Sequence, residues 1–130
     1  MSGGIASTME RYRAAWGRND WEAAMAIWSD DIVHHVPGRH RLAGTFRGKQ
    51  SFLDHYGSVF GELGGTIEVV EIRDVLVSGG RAVSVVVERA VRGERTLEFD
   101  RVVLYRIEGD HIVETWSYDF DPYALDEFWS

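Results

Sequence analysis

Three tight turns in the C-terminal half constrain this chain more than any other feature. Ser78-Gly79-Gly80, Gly93-Glu94 and Glu108-Gly109-Asp110 separate four apolar, β-branched segments: Thr66–Val77, Arg81–Arg92, Arg95–Ile107 and His111–Asp119. Parallel neighbours need a crossover of about a dozen residues. These turns leave two or three residues, so the four segments must pair antiparallel as a meander. Val83, Val85, Val87 and Val91 recur at period 2 along the second segment. The third is apolar on both faces, with Val102 and Leu104 on one and Val103 and Tyr105 on the other. A sheet built from them needs cover on both sides.

The N-terminal half supplies helices for one side. Ile5, Met9, Tyr12 and Trp16 form one helical stripe, which Gly17 ends. Asn19 or Asp20 can cap a second helix, with Glu22 placed as in a capping box and Trp21, Met25 and Trp28 in register. Ser29-Asp30-Asp31 stops it. Ile32–Val36 is a short strand closed by Pro37-Gly38, and Arg39–Arg47 reads as a loop. Lys49–Phe60 is a third helix carrying Phe52, Tyr56 and Phe60, and Tyr123–Trp129 is a tail of one or two helical turns. This order predicts an α+β fold, a curved antiparallel sheet with three helices over its concave face. The result is a cone whose open end is a cavity. The 130 residues point to a single domain over residues 1–130.

Charge and composition narrow the function. With 14 Lys+Arg against 21 Asp+Glu the net charge is −7, and the one lysine and scattered arginines form no basic run. That argues against nucleic acid and anionic membrane surfaces as partners. No window approaches 18 consecutive apolar residues. MSGGIASTMERYRAAW lacks the basic and apolar regions of a secretory signal, so a cytoplasmic location is expected. There is no cysteine, which excludes disulfides, thiolate metal sites and cysteine nucleophiles. No His-x-x-x-His motif, Gly-x-Gly-x-x-Gly loop or Gly-x-Ser-x-Gly elbow occurs, so neither a metal nor a cofactor is expected. Five Trp, five Tyr and six Phe are enough both for a core and for a pocket that takes an apolar ligand.

Several segments carry a family resemblance. RYRAAWGRNDWEAAMAIWSDDIV, HVPGRHRLAGTFRG, YRIEGDHIVETW and DFDPYALDEFW together resemble the SnoaL-like polyketide cyclase and ketosteroid isomerase-like branch of the nuclear transport factor 2-like superfamily. The resemblance covers nearly the whole chain and implies the same cone fold. It leaves the reaction open, because this scaffold hosts isomerases, dehydratases, aldol-type cyclases, epoxide hydrolases and members without a known reaction.

Candidate residues follow from both lines. His34 and His35 are adjacent on a strand, so one faces the cavity and the other faces away. His35 matches the His-x-Pro-Gly position and is a candidate acid or base. The isomerases keep their base just before this proline, where this chain has Val36. Tyr12 matches their oxyanion-hole tyrosine. Glu88-Arg89 resembles part of the epoxide hydrolase set, but Val91 stands where that set needs an aspartate. Arg89 shares the valine face and wants a carboxylate, for which Asp100 and Asp119 are the candidates. The family often has an acid right after the last-strand Trp116; here that residue is Ser117, and Asp119 lies two further along on the same face. The catalytic candidates are therefore His35, Arg89, Asp100 and Asp119, at least two of them meeting inside the cone. Tyr12, Trp16, Trp28, Phe52, Tyr56 and Trp116 are the candidate ligand-binding residues. The expected function is a cofactor-independent acid/base enzyme for a small apolar carbonyl or polyketide-like molecule. The alternative is a non-catalytic ligand-binding or dimerisation module. A homodimer through the uncovered sheet face is expected in either case.

Overall fold

The computed structural model describes residues 4–130. Residues 1–3, where the segment read for a secretory signal begins, lie outside the described residues. The elements are α1 (Gly4–Gly17), α2 (Trp21–Ala26), β1 (Trp28–Val36), β2 (Gly44–Arg47), α3 (Lys49–Leu63), β3 (Gly65–Ser78), β4 (Arg81–Arg92), β5 (Arg95–Glu108), β6 (His111–Asp119) and α4 (Pro122–Phe128). The fold is α+β. One curved six-stranded sheet has the order β2-β1-β6-β5-β4-β3. β3 to β6 pair antiparallel in sequence order, as the short turns require.

The other two strands complete the sheet in a way the local pattern does not show. β1 runs parallel to β6, and β2 pairs antiparallel with β1, from Val33↔Arg47 to Val36↔Gly44. β2 falls in the segment expected to be a loop; four residues, of which only Phe46 is partly buried, are too few for a period to emerge. Trp28, in register with the second helix, instead begins β1. The β1–β6 register shifts between Trp28 and Val33, and Asp30 and Asp31 sit exposed at that irregularity rather than stopping a helix. α2 is correspondingly short, capped by Asp20, whose carboxylate accepts the Ala23 N–H at 3.1 Å.

Two buried clusters hold the helices to the sheet. Met9, Tyr12 and Trp16 of α1 pack with Trp28, Ile72 and Tyr105. At the other end Leu42, Val59, Phe99, Leu125, Phe128 and Trp129 bring the 39–47 segment, α3, the sheet and α4 together. Trp129 is fully buried, so the tail is part of the core. Among the described residues, no helix is long and apolar enough to cross a membrane.

Candidate active site

Strand alternation decides which side chains see the cavity. On β4 the inner positions are the even ones: Ala82, Ser84, Val86 and Ala90 are buried, and Glu88 sits on the same face. On β5 the inner positions are Phe99, Arg101, Val103, Tyr105 and Ile107, all buried. Together with α1, α2 and α3 these faces enclose a cavity of about 340 Å³. Its walls are mostly aromatic and aliphatic, and both core clusters contribute to it. A few polar groups interrupt them: His34, Glu88, Arg101, Thr115 and Ser117.

Arg101 is the centre of the polar set. Its Nε donates to Asp119 Oδ1 at 2.6 Å, and its Nη1 donates to Glu88 Oε2 at 3.4 Å. The guanidinium also lies 5.1 Å from the Phe99 ring centre. Burial works against its charge, but the Glu88 and Asp119 carboxylates outweigh that, so Arg101 stays ionised. Glu88 has the opposite balance. Burial pushes its carboxyl above the ordinary range, opposed by Arg101 and reinforced by Asp119. Two carboxylates thus share one cation. Asp119 has the short bond and a side chain only 1% exposed, whereas Glu88 has the long bond and lines the cavity.

The phenols complete the wall. The Tyr12 hydroxyl accepts the Trp28 Nε1–H at 3.1 Å. Tyr56 donates to the Leu42 carbonyl at 2.9 Å, and Tyr105 shares a 2.7 Å hydrogen bond with Ser84. Burial raises the pKa of all three, so they are protonated at neutral pH. His34 is 5% exposed and bonded through Nδ1 to Thr115 Oγ1 at 2.6 Å. Burial, and secondarily the neighbouring His35, pull its pKa down to about 4, so its ring is neutral at pH 7.

The expected ligand-binding residues Tyr12, Trp16, Trp28, Phe52 and Tyr56 all line this cavity. Trp116 does not. It points to the outer face of the sheet, stacked on His35 at 5.2 Å with 10° between the planes. His35 is likewise on the outside, with Nε2 on Glu114 at 2.6 Å and Nδ1 on Thr45 at 3.2 Å. Arg89 is on the outer face, paired with Glu68 at 2.7 Å and Glu98 at 3.1 Å. Asp100 also faces outward, 3.0 Å from Arg73. The expected meeting of two among His35, Arg89, Asp100 and Asp119 inside the cone is therefore not found. Of the four only Asp119 joins the cavity's polar set, and it does so behind Arg101.

For Arg89 and Asp100 the cause is the face of β4: the valine row is the outer one, so Arg89 turns out with Asp100 across from Val87, and its neighbour Glu88 turns in. On β1 it is His34, not His35, that turns inward, and on β6 Trp116 shares the outer face with His35. Arg101 had a readable signal: it stands in the row Phe99, Val103, Tyr105, Ile107, the more aromatic face of β5. Glu88 had none, because its row mixes small and polar residues. Among the described residues, no three His, Cys, Asp or Glu side chains come together to hold a metal ion.

Comparison with known proteins supplies a family. A SnoaL-like domain matches residues 9–115. The uncharacterized protein Rv0034 of Mycobacterium tuberculosis is 30% identical over 123 residues, covering 94% of this chain and 93% of that protein. Bal32a, from a soil-derived mobile gene cassette, superposes with a TM-score of 0.80 at 28% identity, over 96% of this chain and 95% of its own. A Xanthomonas campestris protein of unknown function with a cystatin-like fold superposes with a TM-score of 0.83 at 27% identity, over 98% of both chains.

Proposed function

The chain belongs to the SnoaL-like domain family, and from that premise we propose that it is an acid/base enzyme acting on a small apolar carbonyl or polyketide-like molecule held in the cavity. The observation that supports this reading most is Glu88, a carboxyl with a raised pKa set into an aromatic and aliphatic wall beside a fixed cation. A proton carrier works best when its pKa lies near the working pH, and burial moves a carboxyl in that direction. In this reading Glu88 takes a proton from the carbon beside the substrate carbonyl and returns it elsewhere on the molecule. Arg101, tied to Asp119, places positive charge where the carbonyl oxygen gains negative charge. Tyr12 accepts from Trp28 and keeps its own hydroxyl proton to donate to that oxygen. Asp119, one of the catalytic candidates, is in this reading the fixed counter-ion that holds Arg101 in place.

Deuterium uptake by the methyl group of 2-acetylnaphthalene in D2O, followed by proton NMR, tests the proton transfer without knowledge of the natural substrate. The wild-type protein should speed exchange above buffer. Glu88→Gln should reduce that acceleration by about 10²–10⁴-fold, with the fold retained. A wild-type protein that binds the ketone, seen as quenching of the cavity tryptophans, without speeding exchange overturns the enzyme reading. That result leaves a ligand-binding module.

A further inference from the structure

We propose that His34 is a ligand-binding residue, so that the cavity takes a neutral molecule with two oxygen functions: a carbonyl at the Glu88–Arg101 end and a hydroxyl against His34 Nε2. The inference rests on reading the cavity as a substrate site and adds to it a second polar contact.

The His34 ring is placed by three neighbours. Thr115, on the adjacent strand, takes Nδ1. Trp28 and Phe52 pack against the ring with centroids at 4.5 Å and 4.3 Å. With Nδ1 turned to the neighbouring strand, Nε2 lies on the far edge of the ring, and it has no protein partner. A buried polar atom left unpaired costs stability, whereas an apolar side chain of similar shape there would cost nothing. His34 and Phe52 both line the cavity, so the side chain that carries the unpartnered Nε2 is one that a molecule bound there meets.

The chemistry of the site selects the handle. The ring is neutral at pH 7, so it offers no charge to a carboxylate. Arg101 is already balanced by two carboxylates, so it favours a neutral carbonyl that accepts from its N–H groups over a third carboxylate. A hydroxyl is the group that pairs with Nε2 in either tautomer, donating when the nitrogen is bare and accepting when it carries the proton. His34 lies opposite Thr115 and Arg101 lies opposite Asp119. The two handles are therefore separated by four residues of β6, roughly 13 Å of strand at ~3.3 Å per residue. A fused or linked ring system with oxygens toward its two ends meets both.

The test compares 2-naphthol with 2-methylnaphthalene, two molecules of one shape that differ in the hydroxyl. Binding is read from quenching of the cavity tryptophans. The ratio of 2-naphthol affinity to 2-methylnaphthalene affinity should fall about three- to tenfold in the double variant His34→Phe/Thr115→Val. That variant removes both partners of the internal bond, so its melting temperature should be unchanged or higher. In nitrogen-15 NMR of the wild type, the His34 signal should shift on adding 2-naphthol and stay in place on adding 2-methylnaphthalene; this arm stands even if the variant fails to fold. An unchanged affinity ratio, no saturable binding of 2-naphthol, or an unmoved His34 signal overturns the proposal. Loss of exchange activity in Glu88→Gln bears on the acid/base reading alone and leaves the hydroxyl preference where it is.

Discussion

Glu88 and Arg89 are neighbours in the chain and lie on opposite sides of one sheet, which makes the first a candidate for chemistry and the second half of a surface ion pair. The difference is one of dielectric. Arg89 and its partners Glu68 and Glu98 are between about two-fifths and one-half exposed, so their pairing is screened and weak. Arg101 and its partners are buried, where removing one partner strands the others. His34 and His35 repeat the contrast on β1. His34 yields a prediction with a definite sign. Its pKa falls from 6.5 to about 4 on folding, because burial penalises the charged ring. The stability of the neutral ring is fully present above pH 6.5 and is lost as pH falls toward 4. The loss amounts to about 3 kcal/mol at most. Urea unfolding from pH 7 to pH 4 should therefore show a steeper loss for the wild type than for His34→Phe/Thr115→Val. Parallel slopes would mean that His34 titrates normally in the folded protein.

At the scale of elements, the segment 37–47 and α4 dock on one another. Arg39 N–H donates to Asp126 Oδ1 at 2.7 Å, and His40 is buried with Nδ1 accepting the Leu42 N–H at 3.1 Å. Gly38 makes this docking possible. Its φ of +114° is one that L side chains rarely adopt, and a Cβ there would stand 2.8 Å from both Asp126 Oδ1 and His40 Cδ2. Gly38→Ala should cost about 1–3 kcal/mol through strain and crowding. The expected readout is a lower urea midpoint with loosened α4, seen as faster amide exchange over Pro122–Phe128. A midpoint within error of wild type would show that the segment and the helix are not tightly docked. The His-x-Pro-Gly pattern is thus legible as sequence, while the reason for its glycine lies in a helix more than eighty residues further on.

On the scale of the whole molecule, helices cover the concave face, and among the described residues no helix packs on the convex face. Val102 and Leu104 point outward there beside Trp116, and Leu76 and Tyr118 are 68% and 55% exposed. We propose that this face joins two copies of the chain, because its exposed apolar side chains, set among the ion pairs of Arg89, Asp100 and His35, gain from being covered. Analytical ultracentrifugation at micromolar concentration should give a dimer, and Tyr118→Glu should shift it toward monomer with the fold unchanged. A wild-type monomer under those conditions would leave the convex face unpaired and the proposal without support.

Local order was written plainly in this chain, because tight turns, helical stripes and caps act over a few residues. The antiparallel meander of β3 to β6, the helices α1 and α3, and the aromatic residues Tyr12, Trp16, Phe52 and Tyr56 that face the sheet all follow from such short-range rules. So does the apolar character of both faces of β5. The tertiary structure decided what depends on the partner across a strand. β2 exists because β1 offers it an edge, and β1 itself lies parallel to β6, a pairing no turn announces. The inner face of β4 was decided the same way. A two-residue period states that the faces differ but not which one turns inward, and the helices settled on the row of small residues rather than the row of valines. That choice took Arg89 and Asp100 to the surface and brought Glu88 and Arg101 together with Asp119, three residues from three strands whose approach is set by register alone.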